Sequence, residues 1–174
     1  MTNRPKDENA PSHTRREIRE KVLQALYAYE LSKEPILNIV ETVLFELRQD
    51  QKDFEFSKRI IIEVIRHEEE LEKIMKAKVA HWEMDRMAVI DRLLLRMGIC
   101  ELLYFPDIPP KVTINELIEV AKSFSTEKSG KFINGVLDAI LIDLRAKHLL
   151  VKTGRGLIEE TPDHDKPQDL TTTK

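Results

Sequence analysis

Apolar residues recur at intervals of three and four along most of the chain, a spacing that places them on one face of an α-helix. The clearest stripe consists of Ile114, Leu117, Ile118, Ala121 and Phe124. Similar stripes run through five other segments, at residues 18–29, 36–47, 56–75, 87–103 and 133–144. Glycine, a poor helix former, is scarce, with 5 residues in 174. The pattern therefore predicts an all-α fold of about six to seven helices.

Capping residues and prolines set the predicted ends of these helices. Thr14 and Glu17 have the spacing of a capping box, so the first helix is expected to begin near Arg15. Pro35 suits the first turn of the second helix, and Asp53 can cap the third. Three prolines between residues 106 and 110 are expected to stop the fourth helix, because proline cannot continue a helix.

Composition divides the chain into four parts. Residues 1–12 are polar and include two prolines, so we expect a disordered arm there. The helical pattern breaks around residues 81–85, which separates an N-terminal helical subdomain at 13–80 from a C-terminal one at 81–152. Residues 153–174 are again polar and are expected to form a disordered tail. The ordered part is predicted to be two packed subdomains, each of a three-helix type.

The overall charge limits the kinds of partner that the protein can bind. With 28 Lys and Arg against 31 Asp and Glu, the formal net charge is −3. This balance argues against a general nucleic-acid coat, whose affinity depends on many phosphate contacts. It does not exclude a local basic patch, and a second protein could supply part of the affinity for a nucleic acid.

The sequence contains no pattern that indicates an enzyme. It has no glycine-rich phosphate loop, no nucleophile elbow and no Cys/His spacing of a metal site, so we expect no catalysis, metal or cofactor. The single cysteine, Cys100, lies in an apolar run and fits a buried position in a reducing compartment. The polar start and the absence of a run of membrane-spanning length predict a cytoplasmic protein.

Two features of the first helix each allow two interpretations. Leu23, Tyr27 and Leu31 form a second apolar row, which suits either a helix enclosed in a core or one that contacts another protein. The arginines of the first turns are interspersed with glutamates, which suits either local ion pairs on a solvated helix or contacts with phosphate. These arginines are Arg15, Arg16 and Arg19.

Basic residues and one aromatic residue gather around the connection between the last two predicted helices. Lys128 and Lys131 lie near the start of the final helix, and Phe132 lies at the edge of its buried stripe. An aromatic ring beside a lysine-bearing helix N-terminus could stack a base while the lysines hold phosphate. This arrangement is therefore a candidate site for a nucleic acid.

Two stretches resemble a known family. The segment INELIEVAKSFSTEKSGKFINGVLD, residues 114–138, resembles the C-terminal signature of the NusB family of bacterial antitermination factors, and RREIREKVLQALYAYELS, residues 15–32, resembles that family's opening helix. The resemblance implies a NusB-like all-helical fold that binds boxA RNA together with NusE, a small-subunit ribosomal protein. Such complexes load onto RNA polymerase and suppress termination in ribosomal RNA operons.

The resemblance also implies two sets of site residues. Those expected to bind RNA are Arg15, Arg16, Arg19, Lys111, Lys128, Lys131 and Phe132. Those expected to bind the protein partner are Tyr27, Leu31, Asp85, Asp91 and Glu101. The alternative is a helical interaction module without an RNA role, forming a homodimer through the row from Leu23 to Leu31.

Overall fold

The computed structural model describes residues 13–79 and 84–157 of the chain. These residues form seven α-helices and contain no β-strand, which confirms the predicted all-α class. The α-helices are α1 (Arg15–Ser32), α2 (Ile36–Val43), α3 (Gln51–Arg66), α4 (Glu68–Lys76), α5 (Val89–Tyr104), α6 (Pro110–Phe124) and α7 (Glu127–Ala146). Two short 3-10 helices lie at Phe45–Gln49 and Gly154–Leu157. None of the described helices is both long and apolar enough to cross a membrane.

The predicted capping box starts α1. The Thr14 hydroxyl accepts a hydrogen bond from the Glu17 amide at 3.1 Å, and the Glu17 carboxylate accepts one from the Thr14 amide at 2.6 Å. These two bonds satisfy backbone donors that a helix N-terminus would otherwise leave unpaired. The backbone hydrogen bond from Thr14 also lowers the pKa of Glu17. The first helix therefore begins at Arg15, as predicted.

The third predicted helix is two helices, and its cap lies three residues earlier than expected. Asp50, in an extended conformation, accepts hydrogen bonds from the amides of Lys52 at 2.9 Å and Asp53 at 3.2 Å. This geometry suits an N-cap, so Asp50 rather than Asp53 caps α3. At the other end, His67 interrupts the helical stripe and separates α3 from α4.

Helix α5 is the centre of the core. Its residues from Leu93 to Leu102 are all buried, and α5 contacts α1, α3, α4, α6 and α7. Gly98 permits the close approach of α5 to α7, because a Cβ atom there would lie 2.8 Å from both methyl groups of Leu137. Helix α1 packs on α3 as well as on α5 and α6, so it joins helices from both halves of the chain.

After α7 the chain returns over the C-terminal end of α5. The Lys152 ammonium donates to the carbonyl oxygens of Glu101 at 3.2 Å and Phe105 at 3.0 Å, at the C-terminal end of α5. The Thr153 amide donates to the Pro106 carbonyl at 2.9 Å. We call residues 152–157 the C-terminal strap. Residues 153–157 are thus folded against the helices, which corrects the predicted start of the tail at residue 153.

The other predicted boundaries fall where the structure gives no description. The N-terminal arm at residues 1–12 and the tail beyond residue 157 lie outside the described residues. The predicted joint between the subdomains falls partly on residues 80–83, which lie outside them too. The division into two subdomains therefore stays a prediction.

Candidate nucleic-acid interface

The first turn of α7 is held in place by a chain of hydroxyl groups. Thr126 caps the helix, and its hydroxyl accepts a hydrogen bond from the Ser129 amide at 3.1 Å. The Ser129 hydroxyl in turn donates to the buried carboxylate of Asp91 on α5, at 2.9 Å. These bonds fix the orientation of the α7 N-terminus relative to the core. As a consequence, the lysines of its first two turns project from a rigid base.

Lys128, Lys131 and Phe132 share these two turns, as the sequence predicted. The Lys131 side chain is 81% exposed and lies 3.9 Å from Glu127, a separation that gives only a weak ion pair in water. Lys128 is exposed as well, and it has no ion pair within the described part of the chain. Phe132 is half-buried and packs on the edge of the core. The structure thus places the exposed side chains of Lys128 and Lys131 on the same two helical turns as the half-buried ring of Phe132.

The N-termini of α1 and α6 meet at a cavity of about 460 Å³. Arg15, at the start of α1, and Lys111, at the start of α6, both line it. Arg16 points elsewhere, since its guanidinium lies 4.0 Å from Glu116 and 3.8 Å from Glu119 on the side of α6. It is half-exposed, so these contacts leave part of its side chain accessible.

The structure overturns two of the predicted site residues, Arg19 and Glu101. Their exposed fractions are 1% and 0%, and they pair with each other in the core. The Arg19 Nε donates to one oxygen of Glu101 at 2.8 Å, and its Nη2 donates to the other at 2.6 Å. The Thr113 hydroxyl on α6 donates to Glu101 at 2.8 Å. Arg19 is therefore inaccessible to a phosphate, and Glu101 is inaccessible to a partner protein.

The buried pair of Arg19 and Glu101 stabilises the N-terminal turn of α1, which carries Arg15 and Arg16. It joins α1, α5 and α6 directly under the first turn of α1, where the Arg19 Nη1 also donates to the Arg15 carbonyl at 3.0 Å. The sequence contained a signal for this burial. Arg19 stands three, four and seven residues before Val22, Leu23 and Leu26, which places it on a buried face of α1 rather than among solvated residues.

Of the acidic residues predicted to bind the partner, Asp91 is also internal. It is 8% exposed, and one carboxylate oxygen accepts the hydrogen bond from Ser129. The other oxygen is buried and has no hydrogen-bond partner among the described residues. Asp91 therefore positions α7, which corrects its prediction as a surface contact. Asp85 is exposed ahead of α5, so its partner role stays a prediction.

The apolar row on α1 divides between core and surface. Leu23 is 2% exposed and belongs to the core, whereas Tyr27 is 39% exposed and Leu31 is 62% exposed. Leu23 is therefore enclosed in the core, and contact with another protein stays a prediction for Tyr27 and Leu31. Tyr27 and Leu31 stand four residues apart on one face of the helix and form a small apolar surface next to the end of α1.

Comparison with known proteins identifies the family. The NusB family model matches residues 16–141. The chain belongs to the NusB family. It is 44% identical over 147 residues to the transcription antitermination protein NusB of Chloroherpeton thalassium, a match that covers 84% of this chain and 70% of that protein. It is 44% identical over 148 residues to the protein of the same name from Salinibacter ruber, covering 83% of this chain and 91% of that protein.

Solved NusB structures have the same fold. The structure of T. maritima NusB is 37% identical and superposes with a TM-score of 0.70 over 75% of this chain and 92% of that one. A crystal structure of the antitermination factors NusB and NusE in complex with dsRNA contains a chain that is 28% identical, with a TM-score of 0.68 over 74% of this chain and 96% of that one. The predicted NusB-like fold is therefore confirmed.

Sequence reasoning missed a cluster of charges beside the exposed apolar pair of α1. Arg92 on α5 lies 2.8 Å from Glu30 of α1, and Arg96 lies 3.5 Å from Glu30 and 3.0 Å from Glu68 of α4. Arg96 also pairs with Glu72. A local pattern does not show this cluster, because the residues that pair with each other are 24 to 66 residues apart in sequence. The cluster fixes the C-terminal end of α1, where Leu31 is presented.

The acidic, histidine and cysteine side chains of the described residues are dispersed. The described residues contain no group of three or more His, Cys, Asp or Glu side chains that could hold a metal ion. Cys100 is buried in α5, and this burial raises the pKa of its thiol, which disfavours the reactive thiolate. The surface carries exposed cations, Lys128 and Lys131, next to the partly exposed ring of Phe132, and such a surface suits the binding of a nucleic acid.

Proposed function

We propose that this protein is a transcription antitermination factor that binds boxA-type RNA together with NusE in ribosomal RNA operons. The observation that carries the proposal is family membership over residues 16–141, combined with a shared fold with a NusB chain crystallised with NusE and dsRNA. Such a protein acts by recognition and assembly, and the NusE complex would load onto RNA polymerase.

The RNA-binding face in this proposal runs from the start of α1 to the start of α7. Lys128 and Lys131 would hold phosphates, and Phe132 would stack a base at the edge of the core. Arg15, Arg16 and Lys111 would extend the phosphate contacts across the N-termini of α1 and α6. Their exposure supports this role, since all of them reach solvent.

The contact with NusE in this proposal uses Tyr27, Leu31 and Asp85. Tyr27 and Leu31 are the exposed apolar residues of α1, and Asp85 supplies a charge ahead of α5. Because the net charge of the chain is −3, RNA affinity from this protein alone would be modest. NusE would supply further contacts, which explains why the RNA is expected to bind the pair more tightly than either protein.

A homodimer through α1 is the second candidate, and the exposed Tyr27 and Leu31 favour it. However, Leu23 is buried, so the exposed row is shorter than the sequence suggested. Stable protein interfaces bury about 800 Å² on each partner, far more than two side chains offer. The same two residues are sufficient as anchors within a mixed interface with NusE, to which charged residues also contribute.

The experiment that tests the proposal measures binding of a boxA-type RNA and a scrambled RNA of equal length. If roughly four phosphates are contacted, raising the salt from about 50 to about 200 mM should weaken binding by about 50-fold. We expect the boxA RNA to bind more tightly than the scrambled RNA at both salt concentrations. Equal binding of the two RNAs would contradict the proposal, and binding of neither would leave the α1 surface and a protein partner as the alternative.

A further inference from the structure

We propose that the C-terminal strap completes the RNA-binding surface, with Arg155 joining Arg15 and Lys111 around the cavity between α1 and α6. The cavity would take one nucleotide of the bound RNA, with its base against an apolar floor and its phosphate at the basic rim. This inference rests on the proposed function. It adds to that function a nucleotide site at the cavity and a residue, Arg155, that lies outside the family match at residues 16–141.

The size and lining of the cavity suit a nucleotide. Its volume of about 460 Å³ falls in the range of small-ligand sites, which is roughly 300–1,000 Å³. Ile18, Phe56, Ile108 and Val112 line it with apolar surface. Phe56 is half-buried and is held by an edge-to-face contact with Phe105, with ring centroids 5.8 Å apart. A fixed aromatic ring of this kind offers a surface on which a base of any identity can pack.

The charges at the rim favour an anion. Arg15 and Arg155 are both exposed, and neither side chain forms a hydrogen bond or ion pair within the part of the chain that the structure describes. Two other charged groups of the lining are already engaged, since Arg19 is paired with Glu101 and Asp53 accepts hydrogen bonds from His13.

Two helix N-termini add to this preference. Arg15 begins α1 and Lys111 lies in the first turn of α6, so both helices direct the positive end of their dipole toward the cavity. Asp107 also lies on the lining, where three cations, Arg15, Lys111 and Arg155, outnumber it. The balance at the rim is positive although the chain as a whole is acidic.

Hydrogen bonds from the strap to the end of α5 and to Pro106 hold Arg155 at the cavity. The first residues of the strap are fixed by the hydrogen bonds of Lys152 and Thr153 to the end of α5 and to Pro106. The Gly156 amide then donates to the Thr153 carbonyl at 2.9 Å and closes the turn that carries Arg155. Gly156 is buried against Pro106, and a Cβ atom at this position would overlap the Pro106 carbonyl oxygen. Only glycine allows the strap to dock in this way.

The test compares three full-length variants with the unaltered protein in binding boxA-type RNA at low salt. Arg155→Gln removes the charge at the cavity. Arg66→Gln makes the same change on the exposed end of α3, 13 residues after Asp53 and therefore about 20 Å from the cavity along the helix. Gly156→Ala leaves Arg155 in the chain but prevents the strap from docking. Thermal unfolding of each variant serves as the control that its helical core is still folded.

We expect Arg155→Gln to weaken binding by about three- to tenfold and to reduce the slope of log affinity against log salt by about 0.7, the value for one lost phosphate contact on a single strand. Arg66→Gln should bind as the unaltered protein does, and Gly156→Ala should lose affinity as Arg155→Gln does.

The contrary results separate the two proposals. If the unaltered protein prefers boxA RNA but Arg155→Gln binds equally well, the site at the cavity is wrong and the proposed function stands. If Arg155→Gln weakens RNA binding and Gly156→Ala does not, docking of the strap is not required for RNA binding, and that part of the inference is wrong. If the unaltered protein shows no preference for boxA RNA, both the proposed function and this inference are overturned.

Discussion

Arg19 and Glu101 are two opposite charges that the fold removes from water together. Burying an ion pair costs solvation energy that is offset only when both partners are present and their hydrogen bonds are complete. Here the carboxylate accepts two bonds from Arg19 and one from Thr113, and both residues are almost wholly buried. The pair is thus a structural support under the proposed RNA-binding face, and its removal should affect folding first.

Substitution of one member should therefore cost much more than substitution of both. Arg19→Met leaves the Glu101 carboxylate buried without its cation, so we expect the free energy of unfolding to fall by about 3–5 kcal/mol. The double variant Arg19→Met, Glu101→Leu replaces both charges with apolar groups of similar volume and should recover most of that loss. Urea denaturation measures both. A single variant as stable as the unaltered protein would show that the pair is not a support.

Two glycines in the helices should respond to alanine in opposite directions. At Gly135 in α7 an added Cβ meets nothing within 4 Å, so Gly135→Ala should raise the free energy of unfolding by about 0.5–1 kcal/mol through helix propensity. At Gly98 in α5 the Cβ would lie 2.8 Å from the Leu137 methyl groups and 3.0 Å from Leu117, both fully buried.

Gly98→Ala should therefore lower the free energy of unfolding by about 1–2 kcal/mol, because the core must shift to admit the methyl group. Thermal or urea denaturation of the two variants in parallel is the measurement. If both variants gained stability, α5 and α7 would not be in the close contact described above.

At the scale of elements, the first two turns of α7 combine a hydrogen-bonded N-cap with exposed lysine side chains. Thr126, Ser129 and Asp91 fix the start of the helix, and Lys128 and Lys131 project from it. The capping residues and the lysines could be read from the sequence, because both depend on local spacing. The bond from Ser129 to Asp91 could not, since it joins residues 38 apart.

The exposed Lys128 should make RNA affinity depend on α7. Lys128→Glu reverses one charge beside Phe132, so boxA binding at low salt should weaken by about tenfold. The matched control is Lys147→Glu, which makes the same change just after the far end of α7, about 28 Å away along the helix. Fluorescence anisotropy of labelled RNA gives both affinities. Unchanged binding by Lys128→Glu would remove α7 from the proposed RNA face.

Helix α1 shows where sequence-based prediction succeeds and where it stops. Its start at Arg15 follows from the Thr14 capping box, and its buried stripe follows from periodicity. The predicted role of Arg19 in RNA binding is wrong, because this arginine near the helix N-terminus is buried rather than solvated. Its partner, Glu101, lies 82 residues away, and nothing in the local sequence shows that the two meet.

At the scale of the whole molecule, the helices and the family could be predicted because their signals are local. The C-terminal strap could not, because a short polar segment with two glycines has the composition of an unstructured tail. Its position depends on Lys152 meeting carbonyls 47 and 51 residues earlier, and on the space that Gly156 leaves for Pro106. Contacts of this kind become visible only when the helices are assembled.

The proposed assembly places NusE and RNA on different parts of one rigid helical body. In this proposal Tyr27 and Leu31 would form the partner surface on α1, and the basic residues around the starts of α6 and α7 would form the RNA surface. If both partners also touch each other, each should increase the affinity of the other by the same factor, as thermodynamic linkage requires.

The most direct test measures that factor. Titration of boxA-type RNA into the protein with and without saturating NusE gives the gain in RNA affinity, and titration of NusE with and without RNA gives the reciprocal gain. The proposal predicts equal gains, each of about tenfold or more, which are lost with scrambled RNA and reduced by Leu31→Ala. RNA affinity that NusE leaves unchanged, with no preference for the boxA sequence, would contradict the central claim.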